Sequence, residues 1–308
     1  LSLPNRKGGR RWLALAAALL LSGSAVGATF PAHGGTAPAA HAAARPCGGS
    51  RAPRTFRHVV WILMENHNTD QIAGHSPYLN HLAARCGLAT SVTAIRHPSL
   101  PNYLALTSGG THGVTDDGPP AAHPIGSNNL FHQLGRRGWR AYEQGMPSNC
   151  ARSDSGRYAV KHNPAAYYTD LAGSCRRRDV PLRQLGADLS HKRLARFSFI
   201  TPNLCNDEHD CSIPTGDRWL SHLMPTILSS SGYLAGRTLV IVTYDEGGRP
   251  AGNDPVYTVV VARSVRPGTV AKIRYSHYST LRTTEAALGL KYLGRARTAT
   301  GYRRPFHL

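Results

Sequence analysis

Residues 59–66 read Val-Val-Trp-Ile-Leu-Met-Glu-Asn, an apolar run that stops on Glu65 and Asn66. Thr238 to Tyr244 is a second run, apolar and β-branched, and it stops on Asp245 and Glu246. Runs of this length and composition suit buried strands. Ligands of open α/β sheets bind beyond the carboxyl ends of the strands. Two such ends would bring three carboxylates and an amide, all hard oxygen donors, to one edge of one sheet. Each acid could alternatively cap a following helix or solvate a turn.

Between the two runs lies His97-Pro98-Ser99-Leu100-Pro101-Asn102-Tyr103, followed by Leu106-Thr107-Ser108-Gly109 and Thr111-His112-Gly113. A serine flanked by two prolines sits in a rigid turn. With a helix starting beyond Pro101, Ser99 lies just before its N-terminus, where backbone N–H groups and the dipole favour phosphate. A serine hydroxyl is a weak nucleophile until a base or a metal activates it. A metal held by Glu65, Asn66, Asp245 and Glu246 would do so and would also neutralise phosphoryl oxygens. The alternative for Ser99 is a plain helix cap.

The elements that must position these groups alternate along the chain. Helical segments are expected over Ser76 to Arg85, from Leu104 to Ser108, over Asn128 to Arg137, Asp217 to Leu228 and Thr280 to Leu288. Strands are expected over Leu88 to Ile95, Trp139 to Gln144, Phe197 to Ile200 and Pro255 to Ala262, besides the two runs above. His97 to Asn102 reads as a turn. Alternating strands and helices give an α/β fold with a mostly parallel sheet.

The N-terminal stretch has the pattern of an export signal. Arg6, Lys7, Arg10 and Arg11 precede an Ala/Leu-rich segment, and Ala25 to Ala28 offers small residues for cleavage. Residues 1–28 are therefore expected to be a signal peptide and 29–55 a disordered leader rich in Ala, Gly, Pro and His. Residues 56–308 are expected to form a single domain, with a disulfide-pinned insertion near 145–180. The expected location is secreted, extracellular. Six cysteines in an exported chain read as disulfides. Local spacing favours Cys205–Cys211 and Cys150–Cys175, which leaves Cys47–Cys86.

The 308-residue chain has a formal charge of +19, of which residues 1–28 carry four. Such a field attracts anions, whether phosphate esters or an anionic membrane surface met transiently. It lacks the interleaved aromatics of single-strand binders, so no nucleic-acid partner is expected. Sixteen histidines are present, and His97, His112, His162, His209 and His277 lie near the motifs. Histidine suits protonation of a leaving alkoxide at mildly acid pH. Asn203, Asn206 and Asp207 either orient phosphate or tie down the Cys205–Cys211 loop. Lys161 and Arg96 are either phosphate clamps or solvated charges.

The segments around Glu65-Asn66, His97 to Asn102, Asn203-x-x-Asn206-Asp207-x-His209-Asp210, Asp245-Glu246 and Ser276-His277-Tyr278 resemble the bacterial phosphoesterase family of secreted acid phosphatases and phospholipases C. The resemblance runs through residues 57–295 and is nearest to the short secreted acid phosphatases, which include enzymes acting on phosphoinositides. It implies an alkaline-phosphatase-like three-layer α/β/α sandwich. It also implies a Ser99 nucleophile, in preference to Thr107 or Ser108, and hydrolysis of phosphate monoesters, small or lipid, through a phosphoserine. The full Asp/His set for two zincs is not evident, so one divalent ion is expected, on Glu65, Asn66, Asp245 and Glu246. His277 or His209 would protonate the leaving group, and Asn102, Asn203 and Lys161 would contact substrate. The same site could serve a phospholipase C acting on diesters. The end of the chain soon after the last motif favours the monoesterase. An exported module that only binds anionic lipid or wall polymer is the non-enzymatic alternative.

Overall fold

The computed structural model describes residues 45–249 and 255–308. The expected signal peptide and residues 29–44 of the expected leader lie outside the described residues. Nine strands follow in chain order: β1 His58–Met64, β2 Gly87–Thr93, β3 Trp139–Glu143, β4 Asp179–Pro181, β5 Phe197–Thr201, β6 Thr238–Tyr244, β7 Pro255–Val261, β8 Thr269–Ala271 and β9 Tyr275–Ser276. They join one sheet in the order β4-β3-β5-β1-β6-β7-β2-β8, with β9 also on β2. Every pairing is parallel except the two made by β7. β1 and β6, the two apolar runs, are adjacent and in register from His58↔Thr238 to Met64↔Tyr244. Glu65 and Asp245 therefore leave the sheet side by side.

Four longer helices cover the sheet: α1 Pro77–Arg85, α2 Ser99–Ser108, α3 Ile213–Leu228 and α4 His277–Leu288. α2 and α4 pack on each other, and α4 lies on β1, where Trp61 Nε1 donates to Thr284 Oγ1 at 2.8 Å. α1 packs on α3 and β7. The fold is thus an α/β/α sandwich with a mostly parallel central sheet. Trp61, Phe197, Phe199, Phe131 and Trp139 form an aromatic cluster under the α2–α4 layer. Each such buried side chain stabilises by ~1.5–3 kcal/mol.

Some boundaries differ from expectation. α2 begins at Ser99, inside the expected turn, and takes Pro101 into its first turn. The first N–H groups of a helix have no intrahelical partner, so a proline there removes no bond. Gly109 ends α2 at φ +79°, the left-handed conformation that glycine adopts without strain. The expected helix over Asn128 to Arg137 is broken into Leu130–Gln133 and a 3₁₀ turn at Gly135–Arg137. Gly135, at φ +64°, lies at the break.

All three expected disulfides are present, Cys47–Cys86, Cys150–Cys175 and Cys205–Cys211, and no described cysteine is free. The first corrects the leader boundary. Residues 45–55 are held on the fold by Cys47, by Tyr233 donating to the Pro46 carbonyl, and by the Gly49 and Ser50 amides on Arg263 O. Among the described residues no helix is long and apolar enough to cross a membrane.

Candidate active site

The site is built where β1, β5 and β6 end. Glu65 follows β1 and is fully buried. Its Oε1 accepts from Tyr103 Oη at 2.5 Å, and its Oε2 accepts from Ser99 Oγ at 3.2 Å. Both donors stand on the first turns of α2, so one helix fixes the carboxylate and presents the hydroxyl. Asn66 comes next at φ +58°, a left-handed conformation that asparagine tolerates better than most residues. That turn aims its amide N–H at Asp245 Oδ1, 3.4 Å away.

Asp207 and His162 complete the interior. His162 Nε2 lies 3.2 Å from Glu65 Oε1, and Nδ1 lies 3.4 Å from Asp207 Oδ2. The His162 ring stacks on Tyr103 at 5.2 Å and 9°. Glu65, His162 and His209 present ligand atoms all within 4.8 Å of one another. At the rim, Lys161 Nζ donates to Asp117 Oδ2 at 2.9 Å and lies 3.3 Å from His209 Nε2. Asp117 Oδ1 also accepts from the Leu100 amide at the start of α2.

The electrostatics of this interior are one-sided. Burial, then the charges of Asp245 and Asp207, hold Glu65 well above the usual carboxylate range. Burial raises Asp245 as well, and its carboxyl is within hydrogen-bond reach of Glu65. Burial pushes Asp207 up to about 7 and His162 down to about 3. Burial works against the Lys161 ammonium, but the hydrogen bond and charge of Asp117 outweigh it and raise its pKa. Asp207 Oδ2, Asp245 Oδ2, His162 Nε2 and His277 Nδ1 are buried without a hydrogen-bond partner. The short His162 contacts to Glu65 and Asp207 thus lack hydrogen-bond geometry. Two carboxylates with orphaned oxygens, the neighbouring Glu65 carboxylate and neutral ring nitrogens form a donor set that fits a hard or borderline divalent cation.

The expected residues fare unequally. Ser99, Glu65, Asn66, Asp245, Lys161 and His209 come together as described. Glu246 is buried nearby, accepting from Asn102 Nδ2 at 3.1 Å, with His97 Nδ1 at 3.3 Å. Asn102 is not open to substrate. Its Oδ1 accepts the Ile95 and Arg96 amides, and its Nδ2 also donates to the Arg96 and Pro98 carbonyls. It holds the Ser99 turn in shape. Asn203 Oδ1 accepts the Cys205 and Asn206 amides, the loop-tying alternative. His277 is fully buried, bonded through Nε2 to the Asp245 carbonyl, and burial lowers it to about 4. It braces the β6 end and is a poor proton donor. Asp117 and Tyr103 went unsuspected, and His162 and Asp207 have more central places than the sequence suggested.

Residues 75–291 match the model of the Phosphoesterase family. The chain belongs to this family. Most of the site falls within the phosphoesterase match, and Glu65 and Asn66 lie just ahead of it. A phosphatidylinositol-3-phosphatase of Mycobacterium tuberculosis is 33% identical over 80% of this chain and 81% of its own length. An acid phosphatase of Aspergillus fumigatus is 29% identical over 78% of the chain. The chain spans only 56% of that fungal protein's length. In structure, the phosphoesterase chain resembles a protein of the alkaline phosphatase superfamily from Vibrio parahaemolyticus, with a TM-score of 0.55 over 85% of this chain and 74% of the other. The lipoteichoic acid synthase LtaP of Listeria monocytogenes aligns at 0.56 over 80% and 77%. At 13% and 9% identity, these likenesses concern the fold.

Proposed function

We propose that this phosphoesterase-family chain is an exported hydrolase of phosphate monoesters that works through a phosphoserine. The observation that carries the reading is Ser99 Oγ at the first residue of α2, hydrogen-bonded to Glu65 among three buried carboxylates. The named phosphatases among its relatives support the reaction class. The three disulfides support an oxidising compartment.

Glu65, Asn66, Asp245 and Glu246 would hold one divalent cation, with Asp207 and His162 as further donors. The ion would supply Lewis acidity and offset the repulsion between a phosphate dianion and the buried carboxylates. The chain's own residues account for the rest. Ser99 Oγ passes its proton to Glu65 and forms the O–P bond as the ester O–P bond breaks. The Ser99 amide N–H at the start of α2 and the Lys161 ammonium face the phosphoryl oxygens. His209 gives its proton to the leaving oxygen. Water then attacks phosphorus, giving a proton to His209, and the seryl oxygen leaves and takes back its proton from Glu65. Substrates include lipid phosphomonoesters at an anionic membrane surface, as the mycobacterial relative's name suggests.

The test is turnover of an aryl phosphate with and without chelator, beside its bis-ester and phosphatidylcholine vesicles. Chelation should slow turnover, and Ser99→Ala should cut kcat by about 10³-fold or more in a folded protein. Near-normal kcat in Ser99→Ala removes the covalent route. Phosphatidylcholine as the best substrate makes the chain a phospholipase C instead.

A further inference from the structure

The strands of this sheet begin in arginine. Arg57 immediately precedes β1, Arg237 precedes β6, Arg196 precedes β5, and Arg137 stands one residue before the Gly138 that leads into β3. Arg178 precedes β4 and Arg85 stands just before β2, while the antiparallel β7 leaves the sheet towards Arg263. The register puts Arg57, Arg137 and Arg237 level, with Arg196 and Arg263 one residue further along the strands, Arg85 two and Arg178 three. His58↔Thr238 sets Arg57 beside Arg237, Val59↔Phe197 sets Arg196 next in line, and Val240↔Val261 brings Arg263 to the same edge. Six steps of ~4.8 Å between neighbouring strands make a row ~29 Å long. Arg57, Arg137, Arg196 and Arg237 are exposed.

From Arg137 to Arg263 no carboxylate interrupts the row; at its β4 end Asp188 lies near Arg178. The three residues before each of these parallel strands contain no Asp or Glu. Among the described residues, arginine ion pairs involve Arg140, Arg193 and Arg249, none of them in the row. The carboxylates collect at the other ends of the strands, at Glu65, Asp207 and Asp245. Between Arg57 and Arg237 the edge opens into a cavity of about 260 Å³ that is also lined by Lys192, Ser230 and Ser231. These are donor groups without an acidic neighbour on the wall.

We propose that this edge, opposite the catalytic end, docks a linear polyanion: a flexible polymer with a sulfate, phosphate or carboxylate in each repeat. A narrow, staggered row that turns with the sheet, ~20–25° per strand, can be followed by a chain but does not lie flat on a bilayer. The exposed large apolar side chains, Val270 and Ile273, are at the β8–β9 segment and not in the row. No exposed aromatic in the row offers a base-stacking platform. Docked this way, the protein is held at an anionic matrix with its site open to solution.

The experiment measures binding of the full chain to heparin, which carries no phosphate ester, across a salt series. It compares wild type with Arg57→Gln/Arg137→Gln/Arg237→Gln and with a control of equal charge, Arg152→Gln/Arg218→Gln/Arg274→Gln. Thermal unfolding checks that all three fold. The edge triple should weaken binding about tenfold or more at physiological salt, and the control less than about threefold. Aryl phosphate turnover should be unchanged in both, and heparin should not compete with substrate. Equal weakening in the two triples would reduce the effect to net charge and overturn the proposal. So would competitive inhibition by heparin, which places the polymer at the catalytic end. Loss of phosphatidylglycerol-vesicle binding in the edge triple with heparin binding intact would overturn it in favour of a membrane.

Discussion

A histidine that protonates a leaving alkoxide must reach the substrate and must be able to carry the proton. His277 meets neither condition. It is sealed at the start of α4, and burial lowers it to about 4. His209 is 25% exposed at the mouth, with Nδ1 2.7 Å from Asp210 Oδ1 and Nε2 turned towards Lys161. The two therefore separate by leaving group. For an alkyl phosphate, whose alkoxide needs a proton, His209→Gln should lower kcat/KM by about 10²-fold. For an aryl phosphate with an acidic phenol the loss should stay under about tenfold. Parallel kinetics on the two esters decide it, and equal losses would remove His209 from the acid role. Tyr103 is another residue whose chemistry is positional. Its hydroxyl on Glu65 leaves that carboxylate one free oxygen to face Ser99.

At the scale of elements, what matters is how helices are fixed to the strand ends. The start of α1 is capped from α3: Asp217 accepts from Ser76 Oγ at 2.6 Å and from the Tyr78 and Leu79 amides at 2.9 Å. A buried carboxylate accepting three hydrogen bonds replaces the missing partners of a helix N-terminus. Asp217→Ala should cost about 2–4 kcal/mol in urea unfolding and leave kcat/KM within about twofold, since α1 lies in the layer away from α2. A loss under about 0.5 kcal/mol would show the cap to be idle. This bond spans 141 residues, which explains what the sequence could not show. β1 and β6, with carboxylates at their ends, were legible because apolar runs and their last residues are local signals. The Ser99 motif was legible for the same reason. Asp117 was not, because its partner Lys161 is 44 residues away. Asn102 was misread because its amide is consumed by Ile95, Arg96 and Glu246, groups that only the folded turn gathers. The arginine row needs the strand order, which no single stretch of chain contains.

Among the described residues several buried carboxyls make no ion pair, and their titration sets how stability follows pH. Glu285 is the clearest. It lies in α4 under the Leu293 turn, where Oε1 accepts the Leu293 amide and Oε2 has no partner. Burial raises it from 4.5 to about 8, against the pull of the Leu293 hydrogen bond and of Arg282 and Arg297. Burial also raises Glu143, with Asp179 adding to it, and burial raises Asp179 to about 7. A carboxyl with a raised folded pKa binds its proton more tightly in the native state. Native protein then holds more protons than unfolded chain between the two values, so this contribution is complete below about 4.5 and is lost as pH rises to about 8. Buried histidines act in the other direction. His58 and His277, both lowered by burial, favour the fold above 6.5 and lose that advantage as pH falls below it. Stability should therefore peak in mildly acid solution. Glu285→Gln isolates one contribution, because it keeps an acceptor for the Leu293 amide and removes the titration. Relative to wild type, the variant should gain stability steadily from pH 5 to pH 8, by a total on the order of a few kcal/mol, measured by urea unfolding at each pH. A wild-type-to-variant difference that does not change with pH would mean that Glu285 is ionised in the folded protein throughout.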